Sequence, residues 1–307
     1  WYSGVQRCAR VRLVNRGSLA LRRGIVSQRQ LQPQTNTKKR QLTIEESLQI
    51  GKKLLHMEQV RLRYLVNRDS RFYRSTGLFG GFDLSFFKGH SHRAIACLAT
   101  TDRDGRLVRS STIDVELPRL EYTSGLLGFR EVDAFKAVWN KYRKEHPSRI
   151  PGVFLVDGNG LLHPRRFGSA CHVGVALNIP TIGVAKKLLC IEGLTRDDVL
   201  EEVQHAPEQA FTNPDRLVRS VVLKSLVRES DTFGHVLGEA VLVRRNPWEL
   251  RSKPVYVSVG HCVNLADAVH IVRDLSLYRV PEPVRQAGML GRKRVRELEK
   301  AAAAGFS

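Results

Sequence analysis

Several ionisable side chains in this sequence stand where buried elements would deliver them to one edge of a sheet. Asp157 is the first polar residue after the apolar run Val153-Phe154-Leu155-Val156, which Pro151-Gly152 and Gly158-Asn159-Gly160 bound on either side. Such a run reads as a strand buried on both faces, and in α/β proteins the C-terminal ends of these strands open onto the crevice that binds ligands. A second run, residues 181–185, ends in Lys186 and Lys187. A carboxylate and paired cations on one edge suit the binding of a divalent cation together with a phosphate. The bland alternative is that Asp157 caps a turn and the lysines are solvated. Asp83 lies in the middle of GGFDLSFF, residues 80–87, an apolar setting in which a carboxylate is costly unless it is paired or bound to a cation. Glu131 falls in the first half of an amphipathic helical segment, and by itself would read as an exposed glutamate. His261 follows an apolar run and precedes a helical pattern. From there a neutral imidazole could position or deprotonate a water, or simply cap the helix.

The order of the elements makes these positions converge. Strand-like segments at 80–87, 92–100 and 107–117 are joined by Lys88-Gly89 and by Asp102-Arg103-Asp104-Gly105, turns that suit antiparallel neighbours. A helix over 125–144 follows, with Leu126, Phe129, Val132, Phe135, Val138, Trp139 and Tyr142 inward; then come a strand at 153–156, a helix at 167–177 and a strand at 181–185. This order predicts an α/β domain of ribonuclease H-like topology: a central mixed sheet, three antiparallel strands followed by parallel ones, flanked by helices. In it the first strand lies beside 153–156, so that Asp83 neighbours Asp157 with Glu131 above them.

Upstream, Thr43 and Glu46 have capping-box spacing and open a helix to about Asn67. Downstream, a polar helix and loop over 195–215 lead to strands at 217–222, 235–243 and 255–259 and a helix at 264–273, which places His261 on the same side as the other strand ends. PEPVR at 281–285 is expected to break the chain, and 291–307 reads as a basic helix fading into alanines. The organisation read from these segments is a basic leader, 1–42, a catalytic domain, 43–290, and a basic C-terminal tail, 291–307.

The net charge of +20 favours a polyanion partner, and 42% hydrophobic residues over 307 positions are ample for a core. Ten of the 50 Lys and Arg precede the first acid, Glu45, which leaves +10 on 45–307. The Arg-, Ser- and Gln-rich leader reads equally as a mitochondrial transit peptide or as a disordered basic tail. Localisation is therefore expected to be intracellular, nuclear or cytoplasmic, with mitochondria left open by the leader. The five cysteines, at 8, 97, 171, 190 and 262, form no CxxC pair, which points to a reducing compartment and to neither a zinc site nor a full disulfide framework. No apolar run reaches the roughly 20 residues of a membrane span, and a monomer is expected.

At GGFDLSF, SGLLGFREV, VFLVDGNGLLHPRRFGSACHVGV, IPTIGVAKKLL, VSVGH and PEPVRQA, six blocks in order across roughly 43–287, the sequence resembles the endonuclease V family. The resemblance implies a metal-dependent endonuclease that cuts the second phosphodiester bond 3′ to inosine in DNA or RNA, in repair or in inosine-RNA processing. It implies that Asp83 and Asp157 bind the metal, with Glu131 as the third acid and a further metal-site residue, Lys186 near the scissile phosphate and His261 close to the metal centre. Tyr122 falls in the family's wedge, just before Gly125, although Glu121 replaces its usual Pro; Cys262 and Asn264 replace a common Arg and Ser. Mg²⁺, or Mn²⁺ in its place, suits hard carboxylate oxygens. Arg165 and Arg166, with Lys187, are expected to hold the nucleic-acid backbone. A nucleotide turned out of the strand would need a pocket, for which Gly80, Gly81, Leu84 and Gly158 are the expected walls. A protein that binds inosine-containing or branched nucleic acid without cutting it remains the alternative, as does another nuclease of the same superfamily. A phosphotransferase is disfavoured because DGNG lacks a P-loop's GK[ST].

Overall fold

The computed structural model describes residues 44–70, 76–119, 123–209, 216–227, 234–244, 249 and 252–304. The leader at 1–42 lies outside them. A helix, α1 (Ile44–Arg63), precedes three strands, β1 (Phe79–Phe86), β2 (Arg93–Thr101) and β3 (Leu107–Glu116). Then follow α2 (Leu127–Glu145), β4 (Val153–Asp157), α3 (Ser169–Leu177), β5 (Thr181–Ala185) and α4 (Arg196–His205). The chain continues through β6 (Leu217–Lys224), β7 (Val236–Arg244), β8 (Val255–His261), α5 (Leu265–Leu275) and α6 (Glu282–Ala304).

The eight strands form one sheet in the order β3-β2-β1-β4-β5-β8-β7-β6. Its first five members are the expected ribonuclease H-like core: β1 runs antiparallel to β2 and parallel to β4, and β4 runs parallel to β5. The apolar run of β4 is buried on both faces, as its sequence requires. On one face Phe82 stacks on Phe154, with centroids 5.5 Å apart, and meets Phe135 of α2 at 5.3 Å. Tyr142 buries its ring in that layer and keeps its hydroxyl paired, accepting from Thr100 Oγ1 at 2.8 Å and donating to the Arg149 carbonyl at 2.9 Å. On the other face Val153, Leu155, Ile182 and Val184 pack with Ala268, Val272 and Leu275 of α5.

Two expectations are corrected here. PEPVR does not break the chain: Pro281 precedes α6, and Glu282 and Pro283 open it, the first-turn position where proline costs no hydrogen bond. The helix then runs unbroken to Ala304, so the boundary placed between 290 and 291 falls inside it. Glycines 288 and 291 give α6 its close seat on the sheet; a Cβ on Gly291 would stand 2.5 Å from Ser85 Oγ. The second correction concerns β8, which is antiparallel to β5, so that its C-terminal end lies at the opposite edge of the sheet from those of β4 and β5.

Candidate active site

Parallel pairing sets Phe82 opposite Val156. One residue further along each strand stand Asp83 and Asp157, and in parallel neighbours such residues point to the same face. Asp83 is 6% exposed, and Ser85 Oγ lies 3.5 Å from its Oδ2 as donor. α6 covers it: the point where a Cβ of Gly288 would stand is 3.3 Å from Asp83 Oδ2 and 3.0 Å from Arg292 Nη1. Lys186, carried past the end of β5, donates to Asp157 Oδ2 at 2.5 Å. Glu131 enters from the other layer, in the second turn of α2, and is buried.

Two of the acids, Asp83 and Glu131, have raised proton affinity. Burial pushes the Asp83 carboxyl up to about 7, helped by the charge of Asp157 and a hydrogen bond with it; Lys186 and Arg292 oppose the rise. Burial likewise pushes Glu131 up to about 8, and the charges of Asp157 and Asp83 add to it. Desolvated carboxylates crowded in this way are stabilised by a cation between them. Among the described residues, no three His, Cys, Asp or Glu side chains are gathered closely enough to surround one ion. The two facing aspartates therefore offer part of a coordination shell rather than a closed cage.

The sign of the pH dependence follows. Unfolded Asp and Glu titrate near 4; folded Asp83 and Glu131 hold their protons to about 7 and about 8. Between those limits the folded chain binds more protons than the unfolded one, so stability falls as pH rises. In EDTA the Tm is expected to decline from pH 5 to pH 8, and a divalent cation added at pH 8 should recover most of the loss. A Tm that is flat across this window, with no response to cation, would mean that the acids do not share one desolvated site.

His261 does not join this cluster. It pairs with Thr181, whereas Asp157 pairs with Val184, three residues along β5 and about 10 Å away at the usual rise of a strand. Its Nδ1 accepts from the Asn67 N–H at 3.2 Å, and the Cys262 N–H donates to the Asn67 carbonyl at 2.8 Å. The imidazole therefore anchors the segment that follows α1, and burial lowers its pKa.

A cavity of about 100 Å³ opens beside Asp157, lined by Gly125, Leu127, Gly158, Asn159, His163 and Leu189, with Gln59 and Ser169 among the other wall residues. The starts of α2 and α3 both reach it, and neither has a side-chain cap. At α3 the Ala170 N–H donates to the Asn159 carbonyl at 3.0 Å, whereas the first amides of α2, with no side-chain cap, make that side of the pocket a donor surface. His163 Nε2 faces the Gly125 carbonyl at 3.0 Å and so must donate, while Nδ1 accepts from the Arg165 N–H at 3.2 Å. Burial, with the charge of Arg165 behind it, drives this imidazole down to about 4, so it is neutral. Asn159 Oδ1 is buried without a hydrogen-bond partner.

Of the residues expected to wall a base pocket, Gly158 alone lines this cavity. A Cβ on Gly80 would strike the Phe154 ring, and one on Gly81 the backbone of Pro283 and Val284, so both glycines serve packing. Leu84 packs into the Phe82 layer. The two arginines are also reassigned. Arg165 Nη2 donates to the Gly125 carbonyl at 3.0 Å and Nε to Gln59 Oε1, while Arg166 is paired with Glu192 at 2.6 Å. The loop carrying them folds back under the cavity, which engages part of each guanidinium internally, while Arg166 Nη1 is buried with no hydrogen-bond partner among the described residues. Lys187 is exposed at the strand ends. Tyr122 lies outside the described residues. Arg292 had no signal beyond a basic helical stretch, and Gln59 had none.

With this geometry in view, the comparisons with known proteins are specific. The family model for Endonuclease V matches residues 60–289. Endonuclease V of Homo sapiens is 35% identical over 269 residues, which cover 82% of this chain and 85% of that one. The crystal structure of the catalytic domain of the human protein superposes with a TM-score of 0.69 at 34% identity, covering 82% of this chain and 98% of that one. Ciona intestinalis Endonuclease V, solved with a 24-mer DNA containing an inosine followed by a ribo-adenosine, gives 0.69 at 30% identity, over 81% and 99% of the two chains. A sheet that brings two aspartates and a lysine to one edge beneath a helix-borne glutamate, and a match across most of the chain, lead to one conclusion: this protein belongs to the endonuclease V family of nucleases.

Proposed function

We propose that the chain is a divalent-cation-dependent endonuclease that hydrolyses the second phosphodiester bond 3′ to inosine in single-stranded DNA or RNA. The observation that carries this reading is the cavity set directly beside Asp157: a pocket with the dimensions of a small ligand opens where the acids end. The Ciona relative, bound to inosine-containing DNA, supports inosine as the base. Hypoxanthine carries an exocyclic oxygen acceptor where adenine carries an amino group, and the uncapped amides at the start of α2 favour an acceptor.

Asp83 and Asp157 would hold the cation, with water and the substrate phosphate completing its shell, the habit of Mg²⁺, for which Mn²⁺ can substitute. When bound, the cation supplies positive charge to the phosphate as its negative charge develops. Lys186 fixes one oxygen of Asp157 and keeps its ammonium at the edge of the site. Glu131, with proton affinity near neutrality, is suited to take a proton from the attacking water. Lys187 and Arg292, both exposed, extend the positive edge along which a strand would run.

Single-stranded DNA and RNA oligonucleotides with and without one inosine, in Mg²⁺, Mn²⁺ and EDTA, test this directly. The expected products end one nucleotide beyond inosine, in either metal and not in EDTA. Equal cutting of unmodified strands would overturn the base specificity, and binding without cutting in any metal would favour a non-cleaving inosine binder.

A further inference from the structure

Gln59, on α1, stands just before the first residue of the family match and is 3% exposed. A buried glutamine must have its amide satisfied, and this one is. Nε2 donates to the Gly125 carbonyl at 2.8 Å and to the Phe167 carbonyl at 2.6 Å, and Oε1 accepts from Arg165 Nε.

The two carbonyls belong to the segments that lead into opposite walls of the cavity. The Gly125 carbonyl also accepts from His163 Nε2 and Arg165 Nη2, each at 3.0 Å, and on the far side of the same peptide unit the Leu126 N–H donates to the Thr123 carbonyl at 3.0 Å. That unit is held in the left-handed region at Gly125, φ +80°, where a Cβ would stand 2.7 Å from Arg165 Nη2. It leads into Leu127 and Gly128, which line the cavity and open the helix bearing Glu131. Phe167 in turn leads into Gly168 and Ser169, the opposite wall and the start of α3. The two helix starts also meet directly, Phe129 against His172 with centroids 4.7 Å apart, and Gln59 adds one side chain bonded to the backbone that leads into each.

We infer that Gln59 is a positioning residue for base recognition: it sets the spacing of the two walls that grip the extruded base. The inference rests on the proposal that this cavity is the base site. The hydrogen bonds of Gln59 go to the walls and to Arg165 rather than to the acids, so its effect falls on discrimination more than on bond cleavage.

The test is Gln59→Met, which keeps length and helix propensity while removing all three hydrogen bonds, beside Gln59→Glu, which keeps the Arg165 pairing but cannot donate to the carbonyls. Steady-state kinetics on an inosine-containing single strand, affinity for that strand and its adenosine counterpart in Ca²⁺, and Tm are read for each variant. Both variants are expected to raise KM for the inosine strand about tenfold, the scale of the hydrogen bonding each removes, with a smaller change in kcat and no change in affinity for the adenosine strand. If Gln59→Met melts below the assay temperature, Gln59→Glu gives the same reading. A lower Tm with the wild-type inosine preference intact would show a purely structural glutamine and overturn the inference. A wild-type protein with no inosine preference would instead remove the base-site reading, and this inference with it.

Discussion

Asp157→Asn is expected to lower strand cleavage by at least about a thousandfold, the scale of losing a group that stabilises developing charge, while leaving affinity for the strand in Ca²⁺ near wild type. The amide keeps the volume of the carboxylate and removes its charge. It also leaves Lys186 Nζ, 2.5 Å from Asp157 Oδ2, without a charged partner, so the proposed cation ligand is weakened and the ion pair of the lysine is lost with it. Asp83→Asn should be as inactive, with a second and distinctive effect. Because burial and the charge of Asp157 hold the Asp83 carboxyl at about 7, the charge is a burden on the metal-free fold, and its removal should raise the Tm in EDTA at pH 8. Activity above about a tenth of wild type in either variant would refute the assignment of these aspartates to the catalytic centre. A lower Tm for Asp83→Asn would refute the repulsion between them.

Gly81→Val is expected to damage the fold severely. The position faces the backbone of Pro283 and Val284 at the start of α6, and backbone atoms cannot swing aside as a flexible side chain can. The added branches must lift the helix from β1, an overpacking cost of about 3 kcal/mol, or roughly 10 °C in Tm for a domain of this size. Lifting α6 also draws Gly288 and Arg292 away from Asp83, so cleavage should fall even below the melting range. The measurement is a thermal melt beside a cleavage assay. An unchanged Tm with altered inosine preference would return Gly81 to the wall of a base pocket and overturn its role as the seat of α6.

The sequence by itself determined the order of the elements and the central pairing. Runs such as 153–156 and 181–185 declare buried strands through their own composition, and hairpin turns declare antiparallel neighbours, because both signals are local. Once β1 lies beside β4, the pairing of Phe82 with Val156 follows from the same pattern, and Asp83 must stand next to Asp157. What the tertiary structure alone decided depends on contacts between distant segments. An apolar run has no visible direction, so the reversal of β8 that carries His261 to the opposite edge of the sheet could not be read from it. Arg165 and Arg166 look like phosphate ligands until the loop folds back onto Gln59 and Glu192 and engages part of each guanidinium. PEPVR looks like a break until the chain is seen to continue through it as α6, whose glycines let the helix sit close on the sheet. Gln59 gives no signal at all, since the carbonyls it satisfies lie 66 and 108 residues away in the chain and meet only when two helix starts close on one cavity.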